Sequence, residues 1–157
     1  MKAPLDRIDL EIMENLRKNA RLSNKELASR VQLSPSSCLE RVRRLNASGV
    51  FRGFHAELDP AALGLSLQAM IVVRLRRHSR RDVVAFRSHL LALPEVLDVF
   101  HVGGSSDFLV HVAVQDSNHL RDLALDAFTT RPEVGQMETH VIFEHTRSLT
   151  LPMRQLE

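Results

Sequence analysis

The chain has 157 residues, 44% of them hydrophobic and 25% charged, which is enough for one ordinary domain or two small ones with packed cores. No apolar run approaches the roughly 18 residues needed to cross a bilayer, the N-terminal residues form no apolar signal segment, and the single cysteine excludes an intramolecular disulfide framework, so a cytoplasmic protein with no membrane partner is expected. Residues 1–60 hold eleven Lys and Arg against eight Asp and Glu, whereas residues 61–157 hold ten against eleven, and this uneven charge favours a polyanionic partner at one end of the molecule.

Three helices are predicted within the first fifty residues. Residues 6–18 carry an apolar stripe at helical spacing, with acids in the first turn. A capping box opens a short helix over residues 24–30, and a Ser-Pro pair opens a third helix over residues 35–48 that stops at Gly49. Residues 50–58 have the composition of a strand, as the wing of a helix-turn-helix would.

The third helix is the predicted recognition helix of a helix-turn-helix. Its buried side is expected to begin with Cys38 or Leu39, which leaves serines and arginines toward solvent. A helix about 10 Å wide fits the major groove, where serine and glutamate can read base edges and arginine can hold phosphate or guanine. The expected contacts to double-stranded DNA, two of them at the start of the second helix, are Ser23, Lys25, Ser34, Ser36, Ser37, Glu40, Arg41, Arg43 and Arg44. The alternative is a three-helix bundle with a solvated basic face, in which Glu40 and Arg44 form only an i, i+4 ion pair.

The second half is predicted to alternate between strands and helices. Its elements are a strand over residues 67–75, a helix from Ser79 through about residue 92, strands over 96–102 and 108–114, a helix over 116–129 and a strand over 136–145. The order β-α-β-β-α-β is that of the ferredoxin-like split βαβ unit. We therefore expect an α+β fold, with a winged helix-turn-helix over residues 1–54, a linker over 55–66 and a ferredoxin-like domain over 67–157.

The strands of the second half also bear on assembly. Met70 and Val72 make the second face of the first strand partly apolar, and Leu109 does the same for the third. A sheet covered by helices on one side only should carry polar residues on its free side. The free face is therefore expected to be covered by another subunit, which predicts a dimer.

The turn between the second and third strands is a candidate ligand site. It consists of Gly103, Gly104, Ser105, Ser106 and Asp107. The glycines let a ligand approach backbone N–H groups, the serines add hydroxyls, and the aspartate can hold an ammonium group. Donors for a carboxylate and an acid for an amine are what an α-amino acid needs. The alternative is a hairpin loop with no ligand.

Metal and catalytic sites are not expected. The eight histidines form no HxH or HxxxH pair and have no cysteine partner, so neither a metal nor another cofactor is predicted. Cys38 is expected to be a small core residue. No GxSxG, P-loop, GxGxxG or paired-carboxylate arrangement is present. Since ferredoxin-like dimers also serve as small isomerases and monooxygenases, an enzyme is a third alternative.

The order of these pieces resembles the Lrp/AsnC family of bacterial and archaeal regulators, also called feast/famine regulatory proteins. The segments that carry the resemblance are Leu5–Asp9, Leu33–Leu45, Gly49–Phe51, Leu93–Val96, the turn Val102–Phe108 with its Gly-x-x-Asp-Phe pattern, Thr139–Ile142 and Leu151–Met153. They extend over nearly the whole chain.

The resemblance implies a winged helix-turn-helix joined to a ligand-sensing domain, dimers through the first strand and sheet face, and octameric rings. It also implies a small effector, usually an amino acid, between dimers near Gly103–Asp107. Glu40 stands where the family is often basic, and Ser105 and Ser106 stand where it commonly has an acid and an aromatic residue, so neither an operator sequence nor an effector carries over. The expected function is a sequence-specific transcriptional regulator whose assembly or DNA affinity responds to a small effector. An effector-independent architectural DNA-binding protein is the alternative.

Overall fold

The structure, a computed structural model, describes residues 5–148. Contacts divide these residues into two units, one up to Ala56 together with those after His145, and one over Glu57–His145. The tail that the sequence assigned to the second domain is thus grouped with the first unit, where Arg17 Nη2 donates to the Ser148 carbonyl at 2.8 Å. Segment 151–153 of the family resemblance lies outside the described residues.

The first unit contains three helices, as the sequence predicts: α1 over Arg7–Lys18, α2 over Asn24–Arg30 and α3 over Pro35–Ala47. The capping box predicted before α2 is present, and a second one precedes α1. Gln32 takes φ of +55° in the turn between α2 and α3. The buried hydrophobic residues of this unit are Ile12, Leu16, Leu27, Ala28, Val31, Cys38 and Leu45.

The second unit is a four-stranded antiparallel sheet with helices on one face. After a 3₁₀ turn over Pro60–Leu63, its elements are β1 (Leu67–Leu75), α4 (Arg80–Leu90), β2 (Val96–His101), β3 (Phe108–Val114), α5 (Ser117–Leu123, continued by a π-helical segment over Ala124–Thr129) and β4 (Val134–Ile142). The strand order is β2-β3-β1-β4, with every neighbouring pair antiparallel. The predicted βαββαβ order is therefore confirmed.

The core of the second unit lies between the sheet and its helices. Alternate residues of β1, from Ala69 to Leu75, point into it and are buried. Phe86 of α4 is fully buried and stacks edge-on against Phe108 and Phe128, with ring centroids 5.3 and 6.3 Å apart. Such pairs add to the free energy gained by burying their area. The core thus fixes the start of β3, which follows the candidate ligand turn, and the end of β1 that pairs with it.

One element prediction was wrong, and one predicted helix differs in its hydrogen-bonding pattern. Residues 50–58 form no strand, because a strand needs a ladder partner and the described first unit offers none. The helix predicted over 116–129 is confirmed, but it is α-helical only to Leu123 and π-helical over Ala124–Thr129. Beyond Leu123 the hydroxyls of Thr129 and Thr130 donate to carbonyls four residues earlier, at 2.8 and 2.6 Å, a back-bonding that perturbs regular helical pairing.

The free face of the sheet is more polar than predicted. Sheet register brings Met70 opposite His140 and Val72 opposite Glu138, so β4 supplies polar side chains. On β3, His111 is buried and one ring nitrogen lies 2.9 Å from Gln68 Oε1. The apolar residues of the free face, such as Met70 and Val72, are therefore surrounded by polar side chains. In the part of the chain described here, no helix is both long and apolar enough to cross a membrane.

Candidate nucleic-acid interface and ligand turn

The start of α3 is fixed by its own serines. Ser34 is the N-cap, and its Oγ accepts from the backbone N–H of Ser37 at 3.2 Å and donates to Ser37 Oγ at 2.8 Å. Cys38 is fully buried on the inner side, whereas Leu39 is 38% exposed. Of the two residues that the sequence offered for this core position, Cys38 is therefore the one that is buried. Burial raises the pKa of the Cys38 thiol.

The outer side of α3 carries four exposed polar residues. These are Ser36, Ser37, Glu40 and Arg43. Among residues 5–148, neither Glu40 nor Arg43 takes part in an ion pair. The i, i+4 pair between Glu40 and Arg44, which the alternative interpretation invoked, is not formed. A basic side chain and short hydroxyls therefore remain available on one exposed side of the helix.

Arg41 and Arg44, which were also expected to contact DNA, form ion pairs with acids of the first unit. Arg41 Nη1 donates to Asp6 Oδ2 at 2.6 Å and to Asp9 Oδ1 at 2.9 Å. Arg44 Nη2 donates to both oxygens of Asp9, whose side chain is only 1% exposed. The hydrogen bond from Arg41 lowers the pKa of the Asp6 carboxyl. A buried charge must be paired, so these two arginines are held on the flank of α3 that faces α1.

The sequence did not identify Asp6 and Asp9 as part of this surface. In the sequence they stand out only as acids at the start of α1. Asp9 lies one position from Ile8 and three from Ile12, and this helical phase places it beside the apolar stripe. That spacing was the available signal for its burial. Its partners on α3 are more than thirty residues away in the chain.

The two predicted contacts at the start of α2 have different surroundings. Ser23 Oγ donates to Glu26 Oε2 at 2.7 Å and accepts from the Glu26 backbone N–H at 3.2 Å. The Ser23 hydroxyl thereby lowers the pKa of Glu26. Lys25 is exposed. Asn24, which the sequence did not single out, donates from Nδ2 to the Pro35 carbonyl at 2.7 Å and joins α2 to the start of α3.

The ligand turn is open on its glycine side. A Cβ atom added at Gly103 or Gly104 would meet no atom within 4 Å, and Gly104 takes φ of +125°, a conformation that favours glycine. Ser105 and Ser106 line a shallow depression of about 110 Å³ on the sheet. The other residues that line it are Val72, Arg74, Gln136 and Glu138. The depression therefore combines a cation, an acid and two hydroxyls.

Asp107 has partners other than the ammonium group that the sequence suggested. Its Oδ2 accepts from the backbone N–H of Leu75 at 2.7 Å, and its Oδ1 lies 2.7 Å from His78 Nδ1. Its backbone N–H donates to the Val73 carbonyl at 2.9 Å. The buried carboxylate thus fastens the turn to the end of β1. A ligand amine at Oδ1 would compete with His78 for the carboxylate.

Metal coordination has no support in the described residues. No group of three or more His, Cys, Asp or Glu side chains there could hold an ion. His101 pairs with Phe108, and His111 pairs with Asp98, so the two histidines on adjacent strands do not face each other.

Family models match both halves of the chain. The model of the Lrp/AsnC ligand binding domain matches residues 68–150, and that of a winged helix-turn-helix DNA-binding domain matches residues 5–52. The HTH-type transcriptional regulator AldR of Mycolicibacterium smegmatis is 43% identical over 143 residues, which cover 91% of this chain and 84% of AldR. The leucine-responsive regulatory protein of Escherichia coli is 36% identical over 143 residues, covering 91% and 87%.

A solved structure agrees with these matches. The L-Met complex of a transcriptional regulator from Neisseria meningitidis superposes with a TM-score of 0.88 and 33% identity, over 95% of this chain and 97% of that one. The relatives are transcriptional regulators and not enzymes. The chain therefore belongs to the Lrp/AsnC family, as a DNA-binding transcriptional regulator with a ligand-binding domain.

Proposed function

We propose that the protein is a cytoplasmic, sequence-specific regulator whose assembly or affinity for DNA is modulated by a small amino acid. The observation that carries the DNA-binding part is the outer side of α3. There Ser36, Ser37, Glu40 and Arg43 are exposed together, on a helix of the width that enters a major groove. Arg43 supplies a cation for phosphate or guanine, and Glu40 accepts from cytosine.

The amino-acid part rests on the depression beside the ligand turn. Arg74 offers a guanidinium for a carboxylate, and Glu138 offers a carboxylate for an ammonium. Ser105 and Ser106 add hydroxyls on the same rim. The neighbouring structure from Neisseria meningitidis is an L-Met complex, which supports an effector of the same chemical class. Gly103 and Gly104 keep the rim accessible, while Asp107 holds its shape.

Assembly is proposed to use the free face of the sheet. Met70, Val72 and Leu109 give that face an apolar centre, and Phe100 at its edge is 48% exposed. Covering this centre with a second copy removes apolar area from water, which favours a dimer. The proposal that such dimers assemble into an octameric ring rests on the family resemblance. An effector changes the balance between such assemblies only if it binds one of them more tightly.

A second candidate function is an effector-independent architectural DNA-binding protein. The inward engagement of Asp107 with Leu75 and His78 favours it, because the acid expected to bind a ligand amine is already satisfied. Such a protein would bind DNA and assemble, but no amino acid would change either property.

A ligand screen separates the two candidates. The thermal stability of the protein is measured with each of the twenty amino acids, and any hit is followed by sizing and by titration of duplex DNA. We expect at least one amino acid to stabilise the protein, and Arg74→Gln with Glu138→Gln to abolish that shift. Arg121→Gln, an exposed change in the same unit, serves as the control. If no amino acid shifts the melting temperature, the architectural function is correct instead.

A further inference from the structure

Arginines are concentrated between the end of β1 and the first turn of α4. Residues 74–81, the arginine segment, contain Arg74, Arg76, Arg77, Arg80 and Arg81 and no Asp or Glu. The rest of Glu57–His145 contains three Arg, no Lys and twelve Asp and Glu. The segment therefore carries +5 inside a unit whose remaining residues carry −9. Five of the eight arginines of the unit are therefore concentrated in eight consecutive residues.

The arginine segment is available to a partner. All five of its arginines are exposed. Arg76 donates from Nε to the Val134 carbonyl at 2.9 Å, but over residues 5–148 none of the five forms an ion pair. By contrast, Arg121 pairs with Asp122 and Arg131 with Glu133. Two of the three arginines elsewhere in the unit have acidic partners, and those of the segment do not.

The position of the segment works against folding. Ser79 is the N-cap of α4, so Arg80 and Arg81 occupy its first turn. Cations are disfavoured at this end because the helix dipole is positive there. Five neighbouring cations also repel one another. Asp82 in the same turn offsets part of this cost, but in residues 5–148 it forms no ion pair with Arg80 or Arg81. A local arrangement that opposes the fold is typical of a functional site.

We propose that the arginine segment is a second DNA-contacting surface, which binds phosphates in addition to the contacts made by α3. This inference rests on the proposed DNA-binding function. Guanidinium groups match phosphate geometry in pairs, and phosphate contacts supply most sequence-independent affinity. Arg74 also lines the depression beside the ligand turn, but the other four arginines lie within residues 76–81, and four charges in six residues suit a polymer of phosphates better than a single small anion.

A second copy of the chain fits the segment less well than DNA does. Protein interfaces are built around apolar or aromatic anchors at their centre. None of the exposed large hydrophobic residues lies within residues 74–81, and Leu75 is buried. The acidic remainder of the unit repels DNA, so the segment would also determine which side of the unit faces the duplex.

The test compares full-length variants on DNA. Arg77→Gln, Arg80→Gln and Arg81→Gln are combined, because glutamine keeps helix propensity and removes charge. Arg87→Gln, an exposed change in the last turn of the same helix, is the control. Fluorescence anisotropy gives Kd across salt concentration for a random duplex and for the protein's own upstream region. Melting temperature and sedimentation are recorded for every variant.

We expect the triple variant to fold as stably as the parent or more so. The slope of log K against log salt should fall by about 2 to 3, since each lost phosphate contact removes about 0.9. The loss should be equal on both duplexes because phosphates carry no sequence information. Arg87→Gln should keep the parental slope.

Arg43→Ala, measured in parallel, separates the two proposals. If Arg43→Ala weakens binding and the triple variant keeps the parental slope, α3 binds DNA and the arginine segment does not. A changed sedimentation with an unchanged slope would overturn the inference in favour of a contact between copies. If the parent binds neither duplex, the proposed function fails together with the inference that depends on it.

Discussion

Arg44 Nη2 donates to both carboxylate oxygens of Asp9, at 2.7 and 2.6 Å. The acid is almost completely buried, whereas the arginine is 49% exposed. The pair thus connects the inside of α1 to the flank of the recognition helix. It gives Arg44 a structural role that any experiment on DNA binding must separate from contact with DNA.

The first prediction concerns the stability of the three-helix unit. Replacing Arg41 and Arg44 together with alanine leaves Asp9 buried without a cation, which should cost about 3–5 kcal/mol of unfolding free energy. Adding Asp9→Asn to the double variant should recover part of that loss because the unpaired charge is removed. Arg43→Ala, one residue from Arg44 and exposed, should stay within about 0.5 kcal/mol of the parent.

The single cysteine makes these changes measurable. Cys38 belongs to the first unit only, so the urea dependence of its alkylation reports the unfolding of that unit alone. The prediction fails if the double variant of Arg41 and Arg44 exposes Cys38 at the same urea concentration as the parent.

The second prediction is a dependence of stability on acid. The hydrogen bond from Arg41 lowers the pKa of Asp6 in the folded state, while the unfolded value is about 3.9. Between the lowered folded pKa and the unfolded pKa of Asp6, the folded state therefore binds fewer protons than the unfolded state. The Asp6 contribution is fully present above about pH 4 and is lost as the pH falls through the lowered folded value.

Asp6→Asn is the variant that checks this assignment. Asparagine is also a good N-cap, so the start of α1 is kept while the ionisable group is removed. The urea midpoint of the helical circular dichroism should fall less steeply between about pH 5 and about pH 3 in Asp6→Asn than in the parent. Equal pH dependence in the two proteins would show that the Asp6–Arg41 contact contributes nothing.

The third prediction concerns the reactivity of Cys38. Its side chain is fully buried, and burial raises the pKa of the thiol, so both access and thiolate formation are reduced. Alkylation of the native protein should be slower than that of the urea-unfolded chain by at least on the order of a thousandfold. A native rate close to the unfolded rate would show that the first unit does not hold Cys38 in its core.

Local signals account for what the sequence predicted well. Caps at Ser23, Ser34 and Ser79 and strand composition in β1 and β3 act within a few residues, so the element order followed from them. The pairing of Arg41 and Arg44 with Asp6 and Asp9 was not predicted, because helical phase indicates a side of a helix and not the partner that lies there.

The partners of side chains in the ligand turn could not be predicted from the sequence either. Asp107 follows two glycines and two serines in the chain, but the direction of its carboxylate depends on Leu75 and His78. Those residues reach it only because β1 pairs with β3 in one particular register. The strand predicted over residues 50–58 is absent for a related reason. Strand pairing requires a second strand, and the composition of one segment does not reveal whether a partner exists.

The most direct test of DNA recognition by α3 is a comparison of Arg43→Ala with the parent by fluorescence anisotropy on duplex DNA at several salt concentrations. Cys38 alkylation in urea verifies that both proteins are equally folded. We predict weaker binding and a slope of log K against log salt that is smaller by about one unit. If an equally stable Arg43→Ala protein gives the parental Kd and slope on the same duplexes, the exposed side of α3 is not the DNA-binding surface.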